Sequence, residues 1–179
     1  MLSHRLAVVV SSETIGDREL PRRTETRSSM DFDAQPFVAT DSPDRRDVAL
    51  LEARIDAHNM QTTGINDARL LAVFVHDDRG DVVAGVYGWT WGGSCEIQFL
   101  WVDARWRGEG VGTRLMQAAE LEARARGATQ IVLSTHSFQA PAFYARLGFR
   151  EVGRVEGYPI GHSSIYLRKH LTEAGSDQG

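Results

Sequence analysis

The stretch WVDARWRGEGVGTRL, residues 101–115, carries glycines at three alternate positions, Gly108, Gly110 and Gly112. An apolar run precedes it and a helical period follows it, so the chain passes from strand to helix across a glycine-rich turn. That passage commits this part of the molecule to an α/β arrangement. The elements before it must supply a sheet and those after it helices to cover the sheet.

The sequence on either side agrees. LLAVFV and VVAGVYGWTW read as strands joined by the polar turn HDDRGD, and Gly92-Gly93 makes a two-residue turn into a third strand, SCEIQFLWV. The middle of the chain is therefore an antiparallel meander. Upstream, SPDRRDVALLEARIDAHN opens with helix-start residues: Ser42 is expected as N-cap, Pro43 at the first helical position and Asp44 in the first turn. Val48, Leu51 and Ile55 follow at helical spacing and predict one buried face.

Beyond the loop, Leu115, Ala118, Ala119 and Ala123 predict a helix stopped at Gly127. TQIVLST is a buried strand, APAFYARL a short helix ended by Gly148, and FREVGRV and SSIYLRK are two further strands joined by EGYPIGH. The order is helix, three strands, helix, strand, helix, strand, strand: an α/β domain with a mixed central sheet flanked by helices, expected over residues 37–171. Residues 1–36 are polar, of mixed charge and without period, and are read as a disordered tail or as lying ahead of a start at Met30. Residues 172–179 are read as a second disordered tail.

A chain of 179 residues suits one core. The formal net charge of −4 argues against a nucleic-acid partner and tilts toward an amine-bearing substrate. The apolar run LAVVV near the N-terminus is too short for a signal-peptide core or a membrane span. A single cysteine, Cys95, excludes an internal disulfide and a cysteine metal cage, and fits a cytoplasmic protein with no metal.

The glycine loop has a chemical reading. Glycine lets backbone approach a ligand closely, the first N–H groups of a helix have no internal partners, and the helix dipole favours anions there. Arg107 and Arg114 add positive charge at the same end, although Glu109 sits within the loop. The loop is thus a candidate phosphate site. It is not a Walker loop, because Gly112-Thr113-Arg114 lacks the lysine. It is not the dinucleotide fingerprint either: three strands precede it, the glycine spacing differs, and no ribose-binding acid follows at the required place.

Arg107-x-x-Gly110-x-Gly112 between strand and helix resembles the acetyl-CoA pyrophosphate loop of the GNAT superfamily of N-acetyltransferases. SFQAPAFYARLGFREVG is similar to that family's Asn-x-x-Ala-x-x-x-Tyr helix and its following Gly-Phe. Ala140, Tyr144, Gly148 and Phe149 match, while Ser137 stands where asparagine is commoner. The resemblance covers roughly residues 37–171.

It implies a bulged third strand splayed from its neighbour, with acetyl-CoA as co-substrate in the gap. Leu100, Trp101 and Val102 would meet the pantetheine. Arg107, Gly108, Glu109, Gly110, Val111 and Gly112 would meet the pyrophosphate, and Ser137 completes the implied cofactor set. The reaction is attack of a neutral amine on the thioester, with Tyr144 implied as general acid to the leaving thiolate. Glu96 stands at the spacing before Arg107 where the histone-acetylating branch of the family carries its base, and an acid amid an apolar strand is costly if buried and unused. His136 and His162 are alternative bases. His58, Asn59 and Tyr158 lie where the fold places acceptor-binding residues, and Trp89 and Trp91 alternate onto one strand face. The resemblance allows a small-molecule or protein amine as substrate and a homodimer as assembly. A non-catalytic acyl-CoA-binding module is the competing reading.

Overall fold

The computed structural model describes residues 37–171. The expected tails, residues 1–36 and 172–179, and the start at Met30 lie outside the described residues. The chain divides after Gly64 into two compact units.

The described part of the first unit is one helix, α1, Arg45–Thr63. Its N-cap is Asp44, whose carboxylate accepts the Arg46 amide at 2.8 Å, and not Ser42. Ser42 and Asp44 are both competent caps, and because it is the Asp44 carboxylate that holds the first-turn amide, the helix starts two residues later than the sequence pattern predicts. Gly64, at φ 70°, ends it. The predicted apolar face is not a buried one: Val48 and Ile55 are half-covered, and Leu51 is exposed.

The second unit holds a six-stranded sheet. β1 (Arg69–His76), β2 (Val82–Trp91) and β3 (Ser94–Val102) form the expected antiparallel meander. Gly92 and Gly93 both adopt positive φ between β2 and β3, the geometry of a primed hairpin turn that only glycine takes without strain. A single 3₁₀ turn, Ala104–Trp106, leads through the glycine loop into α2 (Val111–Ala125). Then come β4 (Gln130–His136), the short α3 (Pro141–Arg146), β5 (Arg150–Glu156) and β6 (Ser163–His170). The strand order is β1-β2-β3-β4-β6-β5, with the β3–β4 pair parallel and the other pairs antiparallel.

The core lies between the sheet and α2. Leu115, Met116, Ala119 and Ala123 of α2 pack on Leu71, Val86, Ile97, Ile131 and Leu133 of the strands. Fully burying a side chain such as Leu71 or Ile131 contributes about 1.5–3 kcal/mol. Phe143, Tyr144 and Leu147 from α3 and its C-terminal end pack against the same cluster. Cys95 is fully buried within it, and burial pushes its thiol up to about 11. It stays a neutral thiol, in keeping with a packing residue.

Polar ties fix α2 at both edges. Near its C-terminal end, Arg126 donates to the carbonyl of Leu70 at 2.9 Å and pairs with Glu122, reaching the edge strand β1. Glu120 pairs with Arg124 and, across to β6, with Lys169.

Candidate active site

β3 changes phase part-way along. Cys95 and Ile97 face the core, and so do Leu100 and Val102. Two residues, Ile97 and Phe99, face successive positions Gly88 and Tyr87 of β2, so Gln98 is the extra residue of a bulge. Gly88 makes the bulge fit, because a Cβ there would collide with the carbonyl of Glu96.

The same place is where β3 and β4 part. Their ladder covers Ser94 to Ile97 against Gln130 to Leu133 and goes no further, although both strands continue. Beyond the bulge the edge of β3 at Leu100, Trp101 and Val102 is unpaired on the β4 side. A cleft of about 930 Å³ opens in that gap.

One wall of the cleft is the end of β3, including half-exposed Phe99 and Trp101. A second is the glycine loop. Gly108 and Gly110 sit at φ 82° and 73°, the left-handed region, and Val111 opens α2. The first helical bond of α2 runs from the Arg114 amide to the Gly110 carbonyl at 3.1 Å, so the amides of Val111, Gly112 and Thr113 precede the ladder. Gly112 faces α3, and a Cβ there would meet the Phe143 ring at 3.4 Å. Arg107 lines the cleft while its Nε donates to the carbonyl of Val102 at 3.0 Å, tying the loop back to the strand end.

The third wall is the end of β4 with α3. Tyr144 lines it, its ring edge-on to Phe143 and Phe149, and burial raises its phenol above the usual value, so it remains protonated at neutral pH. Gln139 also lines it and accepts from the Thr135 hydroxyl at 3.0 Å and the His136 amide at 2.8 Å. Among the described residues the lining contains Arg107 and Arg146 but no Asp or Glu. This is a surface for an anionic, amide-bearing ligand.

A family model described as an acetyltransferase (GNAT) domain matches residues 69–151, from β1 into β5. Blasticidin-S acetyltransferase of Streptomyces morookaense is 37% identical over 119 residues, 63% of this chain and 85% of that protein. A crystal structure of an acetyltransferase from Agrobacterium tumefaciens superposes with a TM-score of 0.72 at 30% identity, over 76% of this chain and 100% of the other. One from Bacillus cereus gives 0.64 at 31%, over 75% and 98%.

The chain belongs to the GNAT acetyltransferase family.

In this acetyltransferase the sequence-derived residues separate into three groups. Leu100, Trp101, Val102, Arg107, Gly108, Gly110, Val111, Gly112 and Tyr144 all line one cleft. Ser137, Glu109, Glu96 and Tyr158 are not in its lining. Ser137 exchanges hydrogen bonds with Ser163, donating its amide and accepting at Oγ, and so joins the end of β4 to the start of β6. Gln139, two residues on, faces the cleft instead. Glu96 is half-buried behind the bulge, where β3 is still paired with both neighbours. Tyr158 stands edge-on to His136, with ring centroids 5.7 Å apart. His58 and Asn59 lie on α1, in the first unit.

Gln139, Phe143 and Phe138 escaped sequence reasoning. Their positions depend on how the β4–α3 turn folds, and no spacing rule marks them. Thr113 could have been found, because the first turn of a helix after such a loop always presents its amides. No helix among the described residues is long and apolar enough to cross a membrane.

Proposed function

We propose that this acetyltransferase, in the cytoplasm, moves the acetyl group of acetyl-CoA to a primary amine by direct attack, with Tyr144 protonating the leaving thiolate. The observation that carries the reading is the parting of β3 from β4 beyond Ile97 and Leu133, beside helix-start amides and a half-buried tyrosine. The unpaired edge at Leu100, Trp101 and Val102 would take the amide-bearing arm as an added strand is taken. The amides at the start of α2, with Arg107, would take the pyrophosphate.

The chemistry follows from the walls. The amine nitrogen bonds to the thioester carbon, the carbonyl oxygen gains charge, and collapse breaks the carbon–sulfur bond. Tyr144 is protonated at neutral pH and gives its proton to sulfur. Glu96, cast as base by the resemblance, would have to act across the bulge through water. The relative named as a blasticidin-S acetyltransferase makes blasticidin S the first acceptor to try.

Thiol release from acetyl-CoA over an amine panel led by blasticidin S tests the reading, together with a melting curve at millimolar acetyl-CoA. Release with at least one amine and a raised melting temperature are expected. The absence of both effects would overturn it.

A further inference from the structure

Acetyl-CoA carries phosphate in two places. The pyrophosphate is one, and a monoester on the ribose beyond it, close to a dianion at neutral pH, is the other. The wall formed by the glycine loop offers the first the helix-start amides and Arg107. Two further arginines lie near that wall in sequence, and both are engaged elsewhere. Arg105 pairs with Asp103, and Arg114 lines a separate, apolar pocket against β1 and β2. The ribose phosphate therefore needs a cation from another wall.

Arg146 is such a cation. It is the last residue of α3, it is exposed, and it lines the cleft. Arg124 and Arg126, at the end of α2, are held by Glu120 and Glu122, whereas the Arg146 guanidinium has no such partner among the described residues. Its place follows from the helix. Phe143 is the residue of α3 whose ring a Cβ on Gly112 would meet, and Arg146 comes three positions later, on the same face and one turn on. The guanidinium thus stands one helical turn past the point where α3 comes against the loop.

We propose that Arg146 binds the ribose 3′-phosphate of CoA and so makes this enzyme prefer acetyl-CoA to acetyl thioesters that lack that phosphate, an assignment that rests on the acetyl-CoA reading above. A guanidinium presents paired N–H groups to two oxygens of one phosphate, a geometry that an ammonium does not offer. With the pyrophosphate on the helix-start amides, the ribose beyond it lies at the open end of the cleft, between the loop and the end of α3. A thioester carried on protein-bound phosphopantetheine has no ribose phosphate and gives up this contact. Arg146 touches neither the thioester nor the amine in this arrangement; it selects the donor.

The test is isothermal titration of the full chain, wild type and Arg146→Ala, with acetyl-CoA and with acetyl-dephospho-CoA at low salt. The wild type should bind acetyl-CoA about tenfold more tightly than the dephospho compound, a comparison that needs no variant. Arg146→Ala should weaken acetyl-CoA by the same factor and leave acetyl-dephospho-CoA where it was. The wild-type preference should shrink as salt is raised, and the variant should have none to lose. In turnover the loss falls on the KM for acetyl-CoA. The side chain is exposed and unpaired, so the free variant should melt close to the wild type, which separates weak binding from misfolding. Equal weakening of both thioesters overturns the assignment in favour of a contact with the pyrophosphate. No weakening of either, or a wild type indifferent to the 3′-phosphate, overturns it while leaving acetyl-CoA as the donor. A wild type that binds neither thioester removes the acetyl-CoA reading and the assignment together.

Discussion

A side chain on Gly88 would run into the backbone carbonyl of Glu96, so β2 and β3 can lie this close only with glycine at that position. The contact lies beside Gln98, the bulged residue, and Gly88 pairs with Ile97, the last residue of β3 joined to β4. Gly88→Ala should therefore act on stability and ligand binding at once. Overpacking against backbone costs about 1–3 kcal/mol, read from urea unfolding. Acetyl-CoA should bind more weakly as well, because β3 must shift. A variant of wild-type stability would mean that the strands have room to separate.

The glycine loop makes a sharper separation of the two properties. Gly110 is left-handed at φ 73°, so Gly110→Ala should cost roughly 1–2 kcal/mol of stability. Gly112 is not left-handed, and an added Cβ meets Phe143 at an ordinary contact distance. Gly112→Ala should leave stability unchanged or slightly improved. It should still weaken acetyl-CoA on the order of tenfold, about 1.4 kcal/mol, if the loop backbone lies against the pyrophosphate. Isothermal titration beside thermal melts decides the matter.

Tyr144→Phe removes one oxygen and keeps the ring that packs on Phe143 and Phe149. The expected result is a kcat reduced by roughly 10²-fold or more, with the acetyl-CoA melting shift preserved. Equal loss of both would make the ring a packing element and the hydroxyl incidental.

Glu120 supplies a pH dependence. Burial pushes its carboxyl up, but hydrogen bonds from Lys169 and Arg124, with their charges, outweigh that and hold it below its ordinary 4.5. A carboxyl lowered by folding contributes stability in full above its unfolded value, and that contribution disappears as the pH falls through the folded one. For a partly exposed site it is worth at most about 1 kcal/mol. Wild-type stability should thus decline below about pH 4.5 more steeply than that of Glu120→Gln, measured by denaturant midpoints.

What was legible in the sequence follows from which residues have few conformational options. The hairpin at Gly92-Gly93, the loop at Gly108 and Gly110 and the stops at Gly127 and Gly148 all sit at positive φ, and each was read in place. α2 follows at Val111, directly where the loop ends. The helix start before Arg45 was misread because Ser42 and Asp44 both cap well and local sequence does not separate them. The bulge entered through family resemblance alone. Ser94, Glu96 and Gln98 alternate with Cys95 and Ile97, but the four residues that follow, FLWV, are all apolar, so a change of phase leaves no trace in the pattern there. Gln139 gained its place from a turn whose shape is set by tertiary contacts, beyond the reach of spacing rules, whereas His136, at the end of β4, was among the bases read from the sequence.

The phase change in β3 also bears on how the protein tolerates change. Cys95 and Val102 serve the same core although they stand an odd number of positions apart, which an unbroken strand forbids. The strand therefore has two reading frames, and the gap between β3 and β4 opens at the seam between them. Deleting one residue at Gln98 would restore simple alternation and let β3 zip onto β4 along its whole length. The resulting sheet would be more regular, and it would have nowhere to hold a substrate.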